Sequence, residues 1–219
     1  MDLKSLHHQA EELREQDKFT EALKLYEQVI VAYEQQKDYS SLVEALGGRF
    51  LTYKHLYLLE KDQSFAVFAK HDALSALEIV QNQPLGDKQS QCYFHLGEVE
   101  MLFKNYQKAT DYFQKSLDKY PSKDANQGRY FNHLGEAQYL NGDKKNGLQN
   151  LLTGLNIIRQ FRESTDSFLI NVWESGALLK LFHFTRDKNH LDEAKKIIDS
   201  DPRLVIRHRQ LDQFLHSKQ

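Results

Sequence analysis

Cysteine, proline and glycine are scarce in this chain of 219 residues, and so is any excess of one charge. A single cysteine, Cys92, excludes an intramolecular disulfide and fits a reducing compartment. Three prolines and ten glycines leave too little turn material for an all-β fold of many short strands. No run approaches the roughly 18 apolar residues that a membrane span requires. The polar stretch from Met1 to Gln16 argues against a secretory signal peptide. A net charge of −2 provides no basic footprint for nucleic acid or an anionic membrane. The chain also lacks a glycine-rich phosphate loop, a G-x-S-x-G elbow and an H-E-x-x-H pair, so common catalytic frameworks are missing. What remains, with 40% hydrophobic and 27% charged residues, is the composition of a soluble folded protein, expected in the cytoplasm.

What is present is an internal repeat. Tyr93-Phe94-His95-Leu96-Gly97-Glu98 is followed twelve residues after its glycine by Ala109. Phe131-Asn132-His133-Leu134-Gly135-Glu136 is followed twelve after its glycine by Gly147. Around the first copy, apolar residues at helical spacing end at Lys104-Asn105 and resume from Tyr106 through Ala109, Phe113 and Leu117, up to Pro121. That pattern predicts two antiparallel helices, with Gly97 and Ala109 allowing close approach and Phe113 filling the gap beyond. The second copy keeps the plan through Gly142-Asp143, Gly147, Leu151 and Gly154. Weaker copies run from Ala10 to Tyr26, from Leu46-Gly47 to Ala76, and from Trp173 and Gly176 to Ile198.

This pattern resembles the tetratricopeptide repeat family over nearly the whole chain. Taking Ala10, Gly47, Gly97, Gly135 and Gly176 as equivalent, the separations of 37, 50, 38 and 41 residues exceed the roughly 34 of the standard motif. The long repeats are similar to those of bacterial regulators and motor light chains. The resemblance implies an all-α, right-handed superhelical solenoid forming one domain over residues 1–219. Its hairpins are expected at about 2–36, 39–82, 87–120, 124–162 and 165–201. A capping helix at about 203–216 should cover the last hairpin with Leu204, Val205, Leu211, Phe214 and Leu215, leaving Arg207 and Arg209 in water.

The resemblance also implies a concave groove lined by the first helix of each hairpin, serving a non-enzymatic scaffold that binds a peptide or protein. By register the groove receives His7, Glu11 and Arg14, then Glu44 and Leu51, and later Met101 and Lys180. The expected binding residues are Phe94, Glu98, Arg129, Asn132, Glu136, Tyr139 and Trp173, whose rings, charges and amide suit a peptide. The family's grip on a terminal carboxylate needs Lys, Arg and Asn at set columns. Starting from the first hairpin those columns hold His7, Glu11, Ala45, Gln91 and His95. From the second they hold Glu44, Gly48, His95, Arg129 and His133. Only Arg129 matches, so a chaperone-tail receptor is disfavoured.

An alternative role is a sensor of secreted signalling peptides. It would lack the usual N-terminal effector domain, since the first hairpin starts within ten residues of Met1. Three His-x-x-Glu pairs, His8/Glu11, His95/Glu98 and His133/Glu136, raise the further possibility of a metal or pH ladder. Ordinary pairing on a duplicated helix surface explains them more simply, and no metal or cofactor is expected. Cys92 falls where a helix needs a small apolar residue, which makes it a buried thiol rather than a nucleophile.

Overall fold

The computed structural model describes residues 2–216. Among them there are eleven α-helices and no strand: α1 Leu3–Glu15, α2 Phe19–Gln36, α3 Tyr39–Glu60, α4 Gln63–Asn82, α5 Gln89–Leu102, α6 Tyr106–Asp118, α7 Ala125–Leu140, α8 Lys144–Gln160, α9 Ser167–Thr185, α10 Lys188–Ser200 and α11 Val205–His216. The first ten pair into five helical hairpins.

Aspartate starts most of these helices. Asp2, Asp38, Asp62, Asp124, Asp143, Asp166 and Asp187 each accept a backbone N–H of the first turn, which satisfies a donor the helix cannot satisfy itself. Each hairpin then turns through one residue of positive φ: Asp17, Lys61, Lys104, Gly142 and Arg186. Only Gly142 has the residue type that occupies this region without cost. Tertiary packing on both sides of each turn outweighs the local preference.

The chain divides into two compact units, Met1–Lys119 and Tyr120–Gln219. In the first, Ala10, Ala22, Tyr26, Val29 and Leu42 form one buried cluster, and Phe50, Ala69, Ala73, Leu96 and Val99 another. In the second, Leu151, Ile158, Ile170, Leu178, Ala194, Ile198, Leu204 and Leu211 make the core.

The glycines expected at helix contacts divide into two groups. A Cβ on Gly97 would lie 2.6 Å from the Phe113 ring of α6. One on Gly135 would lie 2.6 Å from the Gly147 carbonyl oxygen and 2.7 Å from the Leu151 nitrogen of α8. Gly128 and Gly154 repeat that backbone contact two turns away, with Cβ positions 2.6 and 2.5 Å from each other's carbonyl oxygens. Gly47 and Gly176 do not face the second helix of their own hairpins. A Cβ on Gly47 would meet His95 of α5 at 2.9 Å, and one on Gly176 would meet Arg207 of α11 at 2.5 Å. The next residue, Gly48, accommodates Tyr26 of α2, and it is Phe50 that packs with Ala69 and Ala73 of α4. The register of α3 and α9 is therefore corrected: their glycines admit a side chain from a following helix.

The capping helix also needs correction. Leu204 and Leu211 are buried, and Phe214 packs edge-on to Phe182. Val205 and Leu215, expected to cover the last hairpin, are 43% and 51% exposed. Arg207, expected in water, instead turns inward and its Nε donates to the Val172 carbonyl (3.0 Å).

Candidate functional site

Within each unit, consecutive first helices lie side by side and meet along a line of polar and aromatic contacts. Between α3 and α5 the Lys88 ammonium reaches Glu44 (2.6 Å), His95 covers Gly47, Lys54 donates to Glu98 (2.6 Å) and the Tyr57 hydroxyl donates to the Leu102 carbonyl (3.4 Å). Between α7 and α9 the Arg129 guanidinium lies 5.7 Å from the Trp173 ring centroid. Lys180 pairs with Glu136 (2.7 Å), while Tyr139 stacks on Phe184 at 4.1 Å and donates to its carbonyl (3.3 Å). Trp173, Gly176 and Lys180 share one face of α9 through their three- and four-residue spacing, and Arg129, Glu136 and Tyr139 share one on α7 through steps of seven and three. All four of the predicted residues Arg129, Glu136, Tyr139 and Trp173 are thus gathered on one strip of the second unit. They are half-buried, so rings and charges are held in place yet reachable.

Three predicted residues are placed differently. Phe94 is 1% exposed and packs on Phe113 at 5.4 Å between ring centroids, inside the α5–α6 hairpin. Asn132, its repeat equivalent, is 3% exposed, and its Nδ2 donates to the Leu151 carbonyl (3.1 Å) of α8. Both belong to the contact between the two helices of one hairpin, a correction that follows from one column of the repeat pointing inward. Glu98 lies on the first-helix line as expected, but it is buried and held by Lys54, so it fastens α3 to α5.

The His/Glu ladder does not form a ligand column. His8 is exposed and closer to Glu12 (3.3 Å) than to Glu11 (4.0 Å). The His95 ring stacks on Phe50 at 4.6 Å, while Glu98 and Glu136 receive lysines. Among the described residues no group of three His, Cys, Asp or Glu side chains could hold a metal ion. Cys92 is buried, and that burial pushes its thiol up to about 12, so it stays protonated near neutrality. No helix among the described residues is long and apolar enough to cross a membrane.

Lys54 and Phe184 complete the lines and were not singled out from sequence as groove residues. The signal that finds them is spacing: Lys54/Glu98 and Glu136/Lys180 are each 44 residues apart, and Tyr139/Phe184 are 45 apart. These spacings lie between the 41 and 50 residues that separate the equivalent glycines of α7 and α9 and of α3 and α5.

No protein-family model matches the chain, and no curated protein sequence matches it. Solved structures do. A kinesin light chain-like protein of Podospora anserina, built of nearly identical TPR-like repeats, is similar with a TM-score of 0.59 at 13% identity, over 99% of this chain and 97% of that one. RapI in its apo form is similar with a TM-score of 0.57 at 17% identity, over 90% of this chain and 53% of RapI. BtubC from P. vanneervenii gives 0.50 at 15% identity, over 99% and 93%. At these identities the likeness is one of fold.

Proposed function

Starting from a chain with the tetratricopeptide-like fold, we propose that it is a non-enzymatic scaffold whose first-helix face binds a peptide or partner protein. One observation carries the reading: the strip of Arg129 with Trp173, Glu136 with Lys180 and Tyr139 with Phe184. Aromatic faces and arginine supply most of the binding energy at protein interfaces, and here they stand at the two ends of the strip with the ion pair between them, pre-ordered by their neighbours. An extended or helical segment laid along α7 and α9 would bury apolar side chains on the rings and place polar groups on the charges.

Trp173 is the only tryptophan of the chain, so binding on the strip should alter its emission. Peptides selected from a displayed library against the purified chain should shift that emission saturably. They should bind at least tenfold more weakly to Tyr139→Ala/Arg129→Ala, a pair that leaves the reporter in place. Unchanged affinity of the selected peptides for that variant, or a selection that yields none, rejects the reading.

The sensor alternative draws on the long helices α3 and α4, of 22 and 20 residues. It requires compaction when a peptide binds, and an unaltered scattering profile in a saturated complex counts against it.

A further inference from the structure

The middle of the α9 strip is already occupied. Gly176 lies between Trp173 and Lys180 on the same face, and the Arg207 guanidinium from α11 rests on it: a Cβ there would be 2.5 Å from Nη2 and 2.8 Å from Cζ. Arg207 Nε donates to the Val172 carbonyl beside Trp173 (3.0 Å), and Nη1 donates to Gln210 Oε1 (2.5 Å). Desolvation at this place lowers the guanidinium pKa to about 10, opposed by the Glu136 carboxylate, which favours the charge. The side chain remains a cation at neutral pH, drawn toward the acidic member of the strip. On either side of it, Leu204, the residue just before α11, and Leu211, four residues further along the helix, are 2% and 4% exposed.

We propose that α11 is a tethered occupant of the seat on α9, and that the external partner of this face is an amphipathic helix presenting the same pattern, an arginine set over Gly176 between two leucine-sized side chains. The seat requires glycine, because any Cβ at 176 would take the guanidinium's place. It requires a cation, because the nearby strip carboxylate is Glu136 and the accepting group is a carbonyl. The first unit contains the same arrangement in fixed form, with His95 of α5 lying over Gly47 of α3. A side chain from the next first helix entering a glycine notch is thus a contact this repeat uses twice. In α5 it is embedded in a complete hairpin. In α11 it belongs to a helix that leaves Val205 and Leu215 open, and the contact can be exchanged for one made by a separate helix. Partner binding at Gly176 then requires α11 to leave.

The test uses the chain's own helix as probe. A fluorescein-labelled peptide of residues 203–216 is titrated by anisotropy against the full chain and against the full chain carrying Arg207→Ala. Binding to the variant should be at least tenfold tighter, because its resident helix has lost its anchor. A peptide that itself carries Arg207→Ala should lose that gain, and adding Gly176→Ala to the chain should abolish binding. If Arg207→Ala costs helical content by circular dichroism, Arg207→Met, which keeps the aliphatic stem, takes its place. Equal binding of the arginine-free peptide, or no binding to a variant that keeps its helicity, overturns the inference. It rests on the strip being a binding face, but the two readings fail separately: the selected peptides report on Tyr139 and Arg129, and this titration reports on Gly176 and Arg207.

Discussion

In the first unit the α5 glycine, Gly97, meets an aromatic ring, whereas in the second the α7 glycines meet backbone atoms of α8. Their ion pairs differ as well. Glu98 and Lys54 are 7% and 17% exposed, Glu136 and Lys180 about a quarter. The charge also divides: residues 1–119 carry 14 basic and 19 acidic side chains, a net −5, and residues 120–219 carry 15 and 12, a net +3. One repeat has thus been built out in two ways, with side chains closing the first unit and backbone contact closing the second. The second keeps the more accessible charges and the single indole.

Leucine at the paired glycines gives the sharpest break in that comparison. Gly135→Leu should cost about 3 kcal/mol or more, because backbone atoms of α8 cannot move aside, and Gly97→Leu about 1–2 kcal/mol, because the Phe113 ring can shift. Thermal melts of the two variants decide it, and equal losses would remove the distinction. Neutralising the paired glutamates comes next. Glu98→Gln should cost about 2 kcal/mol by leaving Lys54 without its carboxylate in a buried place. Glu136→Gln should cost about 1 kcal/mol or less, since water screens the pair. Urea denaturation measures both.

The turns give a smaller effect. Lys104 and Gly142 hold the same left-handed position in consecutive hairpins, at φ of 58° and 101°. Lys104→Gly should gain about 0.5–1 kcal/mol, and Gly142→Ala should lose about 1 kcal/mol. A melt in which neither moves would mean the turns are not at equilibrium with that preference.

The smallest effect is local and appears in acid. Hydrogen bonds from Arg203 lower the Asp201 carboxyl to about 2, from an ordinary 3.8. The unfolded chain takes up the proton first on acidification. The stabilisation is therefore complete above about pH 4 and drains away between about 4 and 2. Amide exchange should show α11 losing protection across that window. Asp72 of the first unit is shifted upward instead, by burial that its pairing with Arg49 does not fully offset. Its contribution is present below the ordinary value and is lost as pH rises through the raised one, so α4 should not loosen with α11.

The third and fourth hairpins could be read from the spacing of Gly97, Ala109, Gly135 and Gly147, because close approach of two helices tolerates only small side chains. The left-handed conformation of the turns was harder to read than their position: four of the five positive-φ residues within the hairpins are Asp, Lys or Arg, which carry no local signal when tertiary packing imposes the conformation. Of the candidate residues, helical register places Arg129, Glu136, Tyr139 and Trp173 on one strip. Phe94 and Asn132 share that register through their three- and four-residue spacing, yet they turn into the hairpin against Phe113 and Leu151. Arg207 was hidden because basic residues near a chain end read as solvated, and nothing in the sequence marks Gly176 as a notch. The near-neutral total likewise concealed two units of opposite sign.

The paired contacts Gly128 with Gly154 and Gly135 with Gly147 have a mechanical consequence. Two rods touching along their spines at points two turns apart can neither roll nor slide past one another without collision. The α7–α8 hairpin should therefore behave as a rigid plank, and any bending of the second unit has to be taken up where α9, α10 and α11 join it.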